Sequence, residues 1–145
     1  MSDPNKNNFD VAIVGAGPAG SSAAIRLAAN GFSVLLVEQK KFPREKLCGE
    51  FISPECLTHF SELGVMSEIN AAEGTDLTQT VFFARNGKGV AVPSEWFGDT
   101  GSLALGLSRA EMDARLLEGA RLTGVEIREE TTVTGLIFED QRIVG

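Results

Sequence analysis

The chain has 145 residues, 43% of them hydrophobic and 23% charged, with a formal net charge of −7. That length supports one domain with a real core rather than two ordinary ones, and the acidic balance excludes nucleic acid as a partner, since a phosphate backbone needs clustered Lys and Arg. The two cysteines, Cys48 and Cys56, make neither a disulfide framework nor a four-ligand metal site, so reduced thiols, no metal and a cytoplasmic setting are expected.

Residues 1–8 are polar and read as a disordered tail, without the apolar stretch of a signal peptide. No apolar run is long enough to span a bilayer, which leaves peripheral contact as the form of membrane association still open. Residues 9–14 form a short continuous apolar run, the pattern of a strand buried on both faces of a parallel sheet. Residues 15–20 are a turn, and residues 18–30 read as an Ala-rich helix closed by Gly31. A second buried strand over 32–37 ends at Glu38.

The turn reads Gly15-Ala16-Gly17-Pro18-Ala19-Gly20. A GxGxxG pattern alone is weak in a chain with 16 glycines. Here it leaves a buried strand, opens a helix, and is followed by a second strand that ends in an acid. Gly15 permits the tight turn, Gly17 lets a pyrophosphate approach the backbone, and Gly20 lets the helix pack closely on the sheet. The helix start offers unpaired N–H groups and the positive end of its dipole to the phosphates. Glu38 is suited to accept ribose hydroxyls and to repel a 2′-phosphate, which disfavours NADP at this site. The competing reading, a plain βαβ unit whose glycines serve only the turn, does not account for the agreement of strand, turn, helix and acid. These residues do not separate FAD from NAD.

A basic loop over 40–49 follows, and Ser53-Pro54 supplies an N-cap and a first-position proline for a helix that Gly64 ends. On it, Leu57, Phe60 and Leu63 repeat at helical spacing, with Cys56 beside this apolar face as a packing residue. His59, the single histidine, has no partner acid at obvious spacing and reads as structural or surface. Residues 75–107 lack helical periodicity and read as strands over 79–84, 89–92 and 103–107, with a turn at Asn86-Gly87. Trp96-Phe97 serves a hydrophobic substrate surface or an ordinary core contact. Ser108 and Glu111 form a capping-box pair ahead of a helix that carries Met112, Leu116, Leu117 and Ala120 on one face and runs to Gly124. Strands are expected over 125–128 and 132–138, and from 141 after a turn at Glu139-Asp140. The chain stops within an apolar pattern at Ile143-Val144-Gly145, which we read as the N-terminal portion of something longer.

The loop and helix motifs carry a resemblance. Asp10 to Gly20, Glu38, the Pro43-Arg44…Lys46-x-Cys48-Gly49-Glu50 stretch and Ser108-Arg109…Leu116-Leu117 together resemble the flavin-dependent geranylgeranyl reductase family, within the wider p-hydroxybenzoate hydroxylase fold group that includes aromatic monooxygenases and halogenases. The resemblance covers almost the whole chain, and Cys-Gly-Glu is its most specific piece. It implies an α/β fold: a Rossmann-like FAD-binding βαβ domain with a parallel sheet plus a β-rich segment. Residues 9–145 would be the N-terminal portion of an FAD/NAD(P)-binding domain, 75–107 the start of substrate-domain strands, and the C-terminal part, with a later Gly-Asp flavin segment, would be absent.

The resemblance further implies that FAD is held by Gly15, Ala16, Gly17, Pro18, Ala19, Gly20, Glu38, Arg44, Cys48, Gly49, Arg109 and Val133. Cys48 and Gly49 would lie against the flavin, Arg109 would meet the adenosine-diphosphate region, and Val133 would meet the adenine through its backbone. Cys48 is the nearby proton donor and so the catalytic assignment. Each residue also has a plainer reading: Cys48 as a small buried hydrophobe, Arg44 and Lys46 as solvated loop charges, and Arg109 as a first-turn surface residue, although a cation is unfavourable at that helix end. Phe51 departs from the family, where many members have a second glycine, which bears on the pocket shape and the substrate.

The implied activity is reduction of carbon–carbon double bonds in an isoprenoid or other small apolar substrate, with NADPH or another external electron donor. An FAD-dependent monooxygenase or halogenase-like enzyme is the alternative, although no Trp-x-Trp-x-Ile-Pro halogenase signature occurs. A second alternative is an incomplete FAD-binding fragment without activity of its own.

Overall fold

The computed structural model describes residues 8–98 and 103–145, so the tail expected at 1–8 lies, apart from Asn8, outside the described residues. The chain begins with β1 (Val11–Val14), α1 (Pro18–Ala29) and β2 (Val34–Val37). It continues through β3 (Phe51–Ile52), α2 (Pro54–Leu63), α3 (Met66–Asn70), β4 (Thr75–Leu77), β5 (Gln79–Phe83), β6 (Gly89–Pro93) and a 3-10 turn over Ser94–Phe97. β7 (Ala104–Gly106), α4 (Arg109–Leu122), β8 (Glu126–Arg128), β9 (Phe138–Glu139) and β10 (Arg142–Ile143) complete it.

The main sheet has the order β1-β2-β8, all parallel, with Val11 opposite Val34 and Leu36 opposite Ile127. Parallel neighbours need a crossover, and α1 and α4 supply them. Their apolar faces meet over the sheet: Ala24 and Ile25 from α1, Leu116, Leu117 and Ala120 from α4, with Leu36 beneath and Val65 and Ile69 at the side. Burying such side chains contributes about 1.5–3 kcal/mol each. Strand β2, paired on both sides, is buried as its apolar run requires.

Strand β1 departs from expectation. It starts at Val11 rather than residue 9, and its side chains alternate, with Ala12 and Val14 exposed, Val14 at 65%. The cause is coverage: the core formed with α1 and α4 packs against Ile13, and neither Ala12 nor Val14 belongs to it, so the apolar run says that β1 is a strand and not that both faces are covered.

The helix ends follow their capping residues. Ser53 Oγ accepts the Cys56 N–H at the start of α2, and Gly64, at φ 75°, closes it. Ser108 Oγ accepts the Glu111 N–H at 3.2 Å, but Glu111 turns its carboxylate to Arg115 rather than back to Ser108, so only half of the expected capping box forms. Helix α3 went unforeseen; it is a single short turn, fixed by burial of Ile69.

A second, antiparallel sheet has the order β3-β7-β4, and β5 and β6 form a separate hairpin around Gly87. The hairpin leaves Phe82, Phe83 and Val90 exposed. Beyond β8 the expected strand over 132–138 is absent except at Phe138, because residues 132–136 have no ladder partner. Instead β9 and β10 pair across Asp140 and Gln141, both at positive φ, one residue later than the expected turn. Among the described residues no helix is long and apolar enough to cross a membrane.

Candidate functional site

The glycine turn is built as its spacing requires. Gly15 sits at φ +98°, a conformation an L side chain rarely adopts, and its N–H reaches Val37 O at 2.7 Å. A Cβ on Gly20 would be driven into the carbonyl oxygen of Gly15, so only glycine fits there. Pro18 is the first residue of α1 and Gly17 its N-cap. The cap has no side-chain acceptor, and the first turn carries no acid, so the leading N–H groups face outward for an anion.

Glu38 is only 6% exposed and ties this turn to the end of β2. Its Oε2 accepts the Ala16 N–H at 3.0 Å, and its Oε1 accepts the Lys40 N–H at 3.0 Å. Its backbone continues the β2–β8 ladder, donating to Arg128 O and accepting from Thr131 N–H. That pairing brings Val133 alongside, and Val14, Gly15, Glu38, Thr131, Thr132 and Val133 line one cavity of about 240 Å³. Three residues named from sequence, Gly15, Glu38 and Val133, therefore share a wall.

Arg44 returns from the basic loop to lie over Gly17. Its Nη2 is 3.5 Å from where a Gly17 Cβ would stand, and its guanidinium stacks 4.8 Å from the Phe42 ring. The loop itself is anchored by Glu129, which accepts the Phe42 N–H at 2.7 Å. Arg44 Nη1 pairs with Asp113 Oδ2 at 3.3 Å, and Arg44 Nε lies 3.6 Å from Glu38 Oε2. That Nε is buried with no hydrogen-bond partner. A guanidinium whose Nη2 lies by an open glycine, at the start of a helix, fits a pyrophosphate.

Arg109 opens α4 and grips Asp113 with both arms of its fork, Nε at 2.9 Å and Nη2 at 3.0 Å. The Asp113 carboxylate raises the Arg109 guanidinium above its ordinary value, against a smaller opposing effect of burial. The cation at a helix N-terminus is thus offset by an acid one turn on. Asp113 escaped the sequence reading. The available signal was an acid at four residues from Arg109, next to Met112 on a face otherwise apolar.

A second cavity, about 280 Å³ and mostly apolar, is lined by Pro18, Cys48, Phe51, Cys56, Arg109 and Met112, among others. Pro18, Cys48 and Arg109 are brought together here. Cys48 is exposed rather than a buried hydrophobe. Cys56, expected to pack on its helix, is also exposed and lines the same cavity. Gly49 and Ala19 are exposed and touch neither cavity wall. Phe51 packs edge-on against Phe97 at 5.6 Å, whereas Trp96 is exposed. His59 is a surface residue, but it does have an acid partner, Glu62 one turn on at 3.4 Å. A larger cleft of about 680 Å³, lined by Glu50, Glu73, Glu111 and Arg115, lies off the glycine turn.

Residues 8–144 match the family model for the FAD binding domain. The chain belongs to that family. It is 34% identical over 141 residues to the digeranylgeranylglycerophospholipid reductase of Methanosarcina mazei, a match spanning 97% of this chain and 33% of that protein. It is 31% identical over 151 residues to the menaquinone reductase of Mycobacterium tuberculosis, spanning 96% of this chain and 36% of that protein. Among solved structures, the myxobacterial chondrochloren halogenase superposes with a TM-score of 0.82 at 30% identity, over 94% of this chain and 32% of the halogenase. The chain thus spans about a third of the length of the relatives it matches. The expected α/β flavoprotein fold and the FAD-binding family both hold.

Proposed function

We propose that this chain carries the adenosine, pyrophosphate and near-flavin contacts of an FAD-dependent oxidoreductase that reduces carbon–carbon double bonds of an isoprenoid or other apolar substrate. The observation that supports FAD is the track of residues across the glycine turn. One cavity holds Glu38 and Val133, the Arg44 guanidinium lies with Nη2 by Gly17, and a second cavity holds Cys48 and Arg109. Ribose and adenine suit the first cavity, phosphates the turn with Arg44 and Arg109, and the ribityl–flavin end the Cys48 side of the second cavity. Reduced FAD bound there would supply hydride. The protein's part is to orient the cofactor, exclude water and hold a proton near Cys48.

Two observations support the reductase reading: the Cys48-Gly49-Glu50 step beside an apolar cavity, and reductases among the relatives. The electron donor we propose is NADPH or another external reductant that docks outside these residues. The second reading, a halogenase-like or monooxygenase enzyme, is supported by the halogenase superposition. Because the chain spans a third of its relatives, the 145 residues alone are expected to bind cofactor without turnover.

The test is to purify the protein from its full reading frame and record its visible spectrum, which identifies bound flavin. Anaerobic reduction followed by a polyprenyl substrate should reoxidise the flavin without oxygen. Reoxidation only on adding oxygen with an aromatic would overturn the reductase reading in favour of the monooxygenase, and a colourless protein that takes up no FAD would overturn both.

A further inference from the structure

A fully buried carboxylate sits at the centre of the site and is used by none of the contacts assigned to the cofactor. Asp113 is 0% exposed. Its face of α4 is otherwise built of Met112, Leu116, Leu117 and Ala120, where an apolar residue would pack at no electrostatic cost. Burying a carboxylate is costly unless it is paired and hydrogen-bonded. Here it is paired twice. Oδ1 and Oδ2 take the two arms of Arg109 at 2.9 and 3.0 Å, and Oδ2 also meets Arg44 Nη1 at 3.3 Å.

These two arginines come from different parts of the chain. One rides on the basic loop over Gly17, and the other opens α4 beside Cys48. Asp113 takes Nε and Nη2 of Arg109 and Nη1 of Arg44. It leaves Arg44 Nη2 by Gly17 and Arg109 Nη1 outside the fork. Glu38, 3.6 Å from Arg44 Nε, completes a chain Glu38–Arg44–Asp113–Arg109 beside the glycine turn. Two lysines, with a single mobile ammonium each, would not be held in plane this way.

We propose that Asp113 is a positioning residue that fixes Arg44 and Arg109 as one clamp on the cofactor's pyrophosphate, an inference that rests on the FAD reading above. Its role is exerted through the arginines. Preordering two long cations before the ligand arrives removes their ordering cost from the binding step.

The experiment compares ADP with adenosine as probes, measured by calorimetry on the wild-type protein, Asp113→Asn and Arg44→Met. Adenosine lacks the phosphates, so it reports the first cavity alone. We expect Asp113→Asn to lower the ADP-to-adenosine affinity ratio roughly tenfold, the scale of a misplaced charge-assisted contact, while adenosine binding is unchanged. Adding Arg44→Met to Asp113→Asn should then cost less than Arg44→Met does alone. A ratio that stays at its wild-type value, with only a lower melting temperature, would reduce Asp113 to a stabilising ion pair and overturn the proposal. Should Asp113→Asn fail to fold, Asp113→Glu keeps the charge while displacing it by one methylene. The same fall is expected, and an unaltered ratio overturns the proposal equally. Wild-type protein that binds neither FAD nor ADP would overturn the FAD reading itself, a failure visible before any variant is made.

Discussion

The Ala16 N–H donates to Glu38 Oε2 at 3.0 Å, so the acid at the end of β2 braces the glycine turn at the end of β1. One carboxylate therefore has two duties: it satisfies a buried amide, and it presents its remaining lone pairs to the cavity that Val133 lines. The two duties separate by substitution. Glu38→Gln keeps an acceptor for Ala16 and should fold like the wild type while binding FAD roughly tenfold more weakly. Glu38→Ala leaves that N–H unsatisfied and should also lose about 1–3 kcal/mol of stability. Thermal melts and flavin titration read the two effects independently, and unchanged affinity in both variants would remove Glu38 from the ribose site.

Gly20 is the least replaceable position of the turn. Gly20→Ala places a methyl against the Gly15 carbonyl and should destabilise the fold by about 1–3 kcal/mol as α1 is pushed from the sheet. Gly17→Ala meets only the end of Arg44, at ordinary contact distance, so it should melt near the wild type and lose cofactor affinity instead. Denaturant unfolding of the two variants side by side checks the contrast. Equal stability losses would refute it.

Cys48 and Cys56 are both exposed and line the same apolar cavity, with Arg109 beside Cys48. Bound FAD should slow alkylation of Cys48 by a maleimide more than that of Cys56, as followed by mass spectrometry of the labelled peptides. Identical rates with and without FAD would place the flavin elsewhere. Cys48→Ser should retain FAD and, if the thiol holds the proton that the reaction needs, should turn over more slowly in the full-length enzyme.

Asp10 ties the start of β1 to the strand beside it. Its Oδ2 accepts the Ser33 hydroxyl at 2.7 Å and the Ser33 N–H at 2.8 Å. These bonds hold its carboxyl below the ordinary value of 3.8, the hydroxyl contributing most and the amide next. A carboxylate whose pKa is lowered by folding stabilises the native state above its unfolded value, and that contribution fades as pH falls through the folded one. Ser33→Ala should therefore lower the melting temperature at neutral pH, and its deficit should shrink as the pH is taken below 3.8. A deficit that is constant with pH would assign the loss to packing.

The local parts of the site were legible because local chemistry dictates them. Gly15 and Gly20 are demanded by backbone geometry within one turn, and Ser53-Pro54 and Ser108 cap helices whose first turns follow at once. Glu38 could be found because one helix and one short strand separate it from the turn. What stayed hidden depends on partners far away in sequence. Asp113 is an ordinary acid on α4 until Arg44 arrives from the loop. Residues 132–136 have the composition of a strand, yet no neighbouring strand reaches them. Cys56 lies at the edge of an apolar helical face, and only the tertiary arrangement makes that edge a cavity wall.

The same dependence on neighbours bears on how this chain will behave in a test tube. β1 has β2 on one side and no partner on its other side among the described residues, and Val14 stands largely uncovered there. An uncapped strand margin is a template for further hydrogen bonding, and the bare Phe82, Phe83 and Val90 of the hairpin add an adhesive surface. Prepared alone, the polypeptide is therefore expected to cling to itself and to chaperones as its concentration rises. Its yield as clear, monodisperse material, with mild detergent or added flavin as the variable, will govern which of the measurements above can be made first.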